Sequence, residues 1–107
     1  MQLDEGILSV ITRIVRMDFQ PAHADDFLEH FRGVAGQIRQ FPGVRLLELH
    51  RDASQPNVFY TYSKWDGEDE LETYRQSDLF KSAWSQAKCW FQAKPQAYSL
   101  RQELLLD

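Results

Sequence analysis

Val58-Phe59-Tyr60-Thr61-Tyr62-Ser63-Lys64-Trp65 is the stretch on which the fold turns. Aromatic and β-branched residues dominate it, no Gly or Pro interrupts it, and such residues fit a pleated, half-buried surface. Alternation places Val58, Tyr60 and Tyr62 on one face of a strand and Phe59, Thr61, Ser63 and Trp65 on the other. Both faces carry large apolar groups, so both need cover. Just upstream, Asp52 to Asn57 reads as a turn and Val44 to Arg51 alternates as another strand. So short a connection predicts an antiparallel hairpin.

Outward from this hairpin the chain reads in order. Ser9 to Phe19 predicts a first strand with Ile11, Val15, Met17 and Phe19 on one face and Val10 and Ile14 on the other. Pro21 opens a helix at no cost in hydrogen bonds, and Asp25, Asp26 and Glu29 suit the positive end of its dipole. Phe27, Phe31, Val34 and Ile38 form its apolar stripe, with Gly33 and Gly36 roughly opposite. Phe41-Pro42-Gly43 stops it. After the hairpin, Asp66 is expected to cap a short helix carrying Leu71 and Tyr74. Ser77 is expected to cap a second, whose stripe is Phe80, Trp84, Ala87 and Phe91 and which runs to Pro95. Ala97 to Glu103 predicts a fourth strand, followed by Leu104-Leu105-Leu106-Asp107.

Strand, helix, two strands, helix pair, strand is the order of an α+β, ferredoxin-like split βαβ domain. It has one four-stranded antiparallel sheet with helices on one face. Residues 1–107 make a single domain, its core spanning about 10–102. The face carrying Val58, Tyr60 and Tyr62 has no helix to cover it. A second copy related by a two-fold axis is the simplest cover, with the 103–107 tail packing on the partner.

At 107 residues, 43% hydrophobic and 26% charged, the chain has the balance of a soluble globular protein. A net charge of −4 and scattered basic residues argue against a nucleic-acid partner. No segment has the ~20 apolar residues of a membrane span. The acidic start, Met1-Gln2-Leu3-Asp4-Glu5, does not resemble a signal peptide, so a cytoplasmic location without membrane association is expected. Cys89 is the single cysteine, late in its helix where the dipole disfavours a thiolate. His23 and His30, seven residues apart, stand about 10 Å apart along a helix axis, too far for one metal ion. No metal site is expected, and no phosphate-cradling glycine loop is present. Trp65, Tyr74, Phe80 and Trp84 can instead converge between sheet and helices, with Thr61 and Ser63 as polar tips. A core filler or an apolar ligand pocket would both read this way.

Asn57 to Trp65, Leu71-Glu72-Thr73-Tyr74-Arg75-Gln76-Ser77, Phe80-Lys81-Ser82-Ala83-Trp84 and Phe41-Pro42-Gly43-Val44 together resemble the antibiotic biosynthesis monooxygenase (ABM) domain family. The likeness runs from about Val10 to Gln102. It implies a homodimer paired sheet to sheet as a dimeric α+β barrel, with a site between sheet and helices. It implies a monooxygenase, an oxidoreductase that oxidises an aromatic or quinol-like small molecule with O2 and no metal or organic cofactor. A non-catalytic domain holding a small apolar ligand, or an isomerase or detoxifying enzyme, is the alternative on the same fold. The haem-degrading branch has an asparagine near Val15 and a histidine near Trp84, and this chain has neither. The anthrone-oxidising branch has an asparagine where Thr61 stands and an arginine near Ser85. Trp65 alone matches both branches, and it heads the expected substrate contacts: Trp65, Tyr74, Trp84, Phe80, Thr61 and Ser63. Trp65 is expected at the pocket mouth with its indole N–H free to donate. The resemblance identifies no catalytic residue. Glu48 or His50 serves as proton acceptor only if its strand face looks into the pocket.

Overall fold

The β-branched and aromatic runs form strands β1 (Ile11–Asp18), β2 (Val44–Arg51), β3 (Val58–Trp65) and β4 (Gln96–Leu100). The amphipathic stretches form helices α1 (Ala24–Arg39), α2 (Glu68–Arg75) and α3 (Asp78–Lys88). A 3₁₀ turn at Pro21–His23 leads into α1. This computed structural model describes residues 9–106, so the acidic residues of the N-terminus and Asp107 lie outside the described residues. The sheet order is β2-β3-β1-β4, and every neighbouring pair is antiparallel. β3 slots between β1 and β2, the two strands that α1 connects, which makes the split βαβ arrangement of an α+β, ferredoxin-like fold.

Register decides which side chains share a face. Arg13 stands opposite Ser63 and Ser99, Val15 opposite Thr61 and Ala97, and Ser63 opposite Leu47. All of these look toward the helices. Ile14, paired with Tyr62 and Tyr98, looks the other way, as do Glu48 and His50 beside Tyr62 and Tyr60.

The buried core under the helices is divided. One cluster joins Met17, Phe19 and Phe59 to Phe27 and Ala87; the other joins Ile11 and Trp65 to Leu71. Gly43 ties the second cluster's end of the sheet together. Its φ of +93° is one that L side chains rarely adopt, and an added Cβ would stand 2.6 Å from the Glu70 Cβ.

Several local expectations need correcting. Asp66 does not cap α2. Gly67 occupies that position without a side-chain cap, while the Asp66 carboxylate accepts from the Arg45 Nε at 2.6 Å. Glu68, Asp69 and Glu70 in the first turn meet the helix dipole instead. Ser77 does cap α3, accepting from the Phe80 N–H at 3.1 Å.

That helix stops at Lys88, well before Pro95, because the following backbone is used elsewhere. The Trp90 carbonyl accepts from the Gln20 N–H at 2.8 Å, and the Gln92 N–H donates to Asp18 at 2.9 Å. Phe91 therefore lies on a bridge to Phe19 rather than on the helix, though its ring still packs on the core. β4 ends at Leu100, opposite Thr12, because β1 itself starts only one residue earlier and later residues have no ladder to join. Val58 is not part of a bare face: it is fully buried, within a connection whose backbone bonds to it at both ends.

Candidate functional site

The two core clusters do not meet across the whole sheet. Between them lies a cavity of about 340 Å³, within the range of small-molecule pockets. Its floor is the helix-facing side of the sheet, with Arg13, Val15, Leu47, Thr61, Ser63 and Trp65. Its roof is Phe27, His30, Phe31, Val34 and Ile38 of α1, Leu71, Tyr74 and Arg75 of α2, and Phe80, Ala83, Trp84 and Ala87 of α3. All six substrate contacts expected from sequence border this one space.

A near-continuous belt of rings surrounds it. Trp65 and Tyr74 lie 4.8 Å apart, Tyr74 and Phe80 5.2 Å, Phe80 and Trp84 5.8 Å, and Trp84 and Phe91 5.4 Å. Phe91 leads on to Phe19 at 5.2 Å, and Phe19 stacks on Phe27 at 4.2 Å. Rings held mutually by offset and edge contacts are stiff, so the space between them is preformed.

The polar groups are few. The Trp65 ring is only 2% exposed, so it belongs to the deep end of the cavity and not to its mouth. Its indole N–H is not free for a ligand, because it donates to the buried Ser63 Oγ at 3.0 Å. Ser63 in turn faces the Arg13 carbonyl at 3.5 Å. Neither the Thr61 nor the Tyr74 hydroxyl has a hydrogen-bond partner among the described residues, which leaves both for a ligand. Burial pushes the Tyr74 phenol up to about 12, so it stays neutral and able to donate.

Three polar residues of the wall escape a sequence reading that seeks chemistry only in the aromatic set. His30, Arg13 and Arg75 all border the cavity. The His30 Nε2 lies 3.1 Å from the Ala83 carbonyl. A carbonyl only accepts, so Nε2 carries the proton and, in the neutral ring, Nδ1 keeps its lone pair. The signal was in the spacing: His30 follows Phe27 by three and precedes Val34 by four, Arg75 follows Leu71 by four, and Arg13 shares the parity of Ile11 and Val15.

Glu48 and His50 lie on the opposite face of the sheet, bonded to each other at 2.9 Å, and so do not reach the cavity. His23 pairs with Asp26 at the surface, and the exposed Cys89 thiol donates to the Ser85 carbonyl at 3.2 Å. Among the described residues no three His, Cys, Asp or Glu side chains gather as a metal site would require. Nor is any described helix long and apolar enough to cross a membrane.

Comparison with known proteins agrees with this architecture. The profile of the family described as antibiotic biosynthesis monooxygenase matches residues 10–85. A conserved protein from Methanosarcina mazei superposes with a TM-score of 0.86 at 13% identity, covering 92% of this chain and 97% of its own. A crystal structure of an antibiotic biosynthesis monooxygenase gives 0.82 at 16% identity, covering 86% and 97%. A protein from Caulobacter crescentus, provisionally described as an antibiotic biosynthesis monooxygenase, gives 0.83 at 22% identity, covering 90% and 92%. At these identities the likeness is one of fold. No curated protein matches the sequence.

Proposed function

Because the chain belongs to the antibiotic biosynthesis monooxygenase family, we propose that it oxidises a small aromatic or quinol-like compound with O2, needing no metal or organic cofactor. The observation that carries this reading is the preformed cavity, walled by aromatic rings and holding only a few polar groups. Such a site binds a flat, electron-rich ring and strips water from it, which favours electron transfer from the substrate anion to O2. For an anthrone-type substrate the ring CH2 becomes a carbonyl. One oxygen atom enters the product and the other leaves as water with the two hydrogens. All four electrons come from the substrate, so no outside reductant is needed.

The first step is loss of a proton. We assign its acceptor to His30, whose Nε2–H is held by Ala83 and whose Nδ1 retains a lone pair. Tyr74, kept neutral by burial, and Thr61 are the donors we assign to the developing oxyanion.

Oxygen uptake with a panel of anthrones and hydroquinones tests this. One O2 should be consumed per substrate turned over, with nothing else added, and His30→Gln should lower the rate by about 10²–10⁴ while keeping the melting temperature. Absence of enzyme-dependent uptake across the panel would return the cavity to the role of a binding pocket. Conversion of a substrate without uptake would point to an isomerase.

A further inference from the structure

Among the described residues, the ionisable side chains around the cavity are Arg13, His30, Tyr74 and Arg75, with no Asp or Glu. That is notable in a chain with 16 acidic and 12 basic residues. Arg13 projects from a central strand between Ser63 and Ser99, on the same face as Val15 and Met17. One of its five N–H donors goes to the Ser99 Oγ at 2.9 Å, and no carboxylate pairs with it among the described residues. Arg75 has only a loose contact with Glu72 at 3.3 Å, both groups about half exposed, a pair of small worth. The two cations sense each other. After burial itself, the charge of Arg75 is what pulls the Arg13 guanidinium below its ordinary value. Two like charges thus border the cavity, one from its floor and one from its roof, and no carboxylate among the described lining residues lies with them.

Their depth gives a direction. Of the lining, Trp65, Leu71, Phe27 and Ala87 are buried, whereas Arg13 is partly exposed and Arg75 exposed, so the charged groups lie where the cavity meets solvent. We propose that the cavity selects an organic anion, an aromatic body bearing a carboxylate, with the ring inserted toward Trp65 and the carboxylate held at the mouth by Arg13 and Arg75. Guanidinium forks match carboxylates, and a single anion between the two relieves their repulsion. The inference rests on the cavity being the substrate site, but not on the reaction there.

Calorimetric titration with 2-naphthoate and with its neutral analogue 2-naphthalenemethanol tests it. The wild type should bind the acid at least about tenfold more tightly, because only the acid gains charge-assisted hydrogen bonds from the guanidiniums. Added salt should erode that preference only. Arg13→Met and Arg75→Met keep the apolar stems, and each should weaken the acid about tenfold while leaving the alcohol within about twofold. If Arg13→Met fails to fold, Arg75→Met carries the test, because its side chain is at the surface. Equal affinity for the two probes, binding of neither, or variants that lose both alike would overturn the proposal. Acid selectivity without oxygen uptake would sink the oxygenase reading and leave this one standing, and oxygen uptake without acid selectivity would do the reverse.

Discussion

Tyr74 shows how a single residue joins packing to chemistry. Its ring touches Phe41, Trp65 and Phe80, it borders the cavity, and its hydroxyl has no partner among the described residues. Burial raises its pKa from 10.0 to about 12, and the sign of the pH effect follows. Below pH 10 the phenol is protonated in folded and unfolded chains alike and nothing is lost. Between 10 and 12 the unfolded chain releases a proton that the folded one retains, so stability falls as pH rises through that window. The full loss by the top of the window is about 2 kcal/mol, allowing for partial solvent access. Tyr74→Phe should therefore be close to neutral in stability at neutral pH and should resist alkali better than the wild type. Urea midpoints taken across the window check this, and parallel decline of the two proteins would show that Tyr74 is not the group responsible.

At the level of the element, glycines separate a required conformation from a tolerated one. Gly43 combines a positive φ with a Glu70 Cβ in the way of any side chain, so Gly43→Ala should cost more than about 1 kcal/mol. Gly33 and Gly36 lie in α1 with open space where a Cβ would go, so Ala at either should stabilise by about 0.5–1 kcal/mol. Thermal denaturation of the three single variants measures both signs. A stabilising Gly43→Ala would contradict this account of the turn.

These positions also mark what could be read in advance. The hairpin and the Ser77 cap were legible because alternation, turn chemistry and capping are local. The end of α3 was not, because it is set by bonds from residues 90–92 to residues 18–20, far off in sequence. The aromatic half of the candidate site, as a lining of one cavity, was legible for the same reason as the core, since its rings follow strand parity and helix spacing. Its polar half was not. An Arg among apolar residues reads as a break in the pattern until the structure brings Arg13 and Arg75 to one cavity.

For the whole molecule, the remaining question is what covers the sheet face away from the helices. Ile14, Tyr62 and Tyr98 stand in register across its middle, and Arg16, Glu48 and His50 lie among them. Tyr98 is 52% and Leu100 48% exposed, and Leu104, Leu105 and Leu106 stand out in solvent in the single chain. A run of exposed apolar side chains beside a sheet face is the kind of surface that marks an interaction site. We propose that a second copy covers it as a two-fold dimer, with the tail leucines packing on the partner. Tyr62 is the residue to change, because β3 is central and the residues directly opposite it, Ile14 and Glu48, carry no positive charge, while Arg16, His50 and Lys64 stand only diagonally or two residues along. Tyr62→Asp should bury an uncompensated charge at about 3–5 kcal/mol, enough to weaken association more than about a hundredfold. Sedimentation equilibrium at micromolar concentration should find a dimer in the wild type and a monomer in Tyr62→Asp, with the helix content of the two unchanged. A wild type that stays monomeric, or a dimer indifferent to Tyr62→Asp, would mean that this face meets water in the working protein.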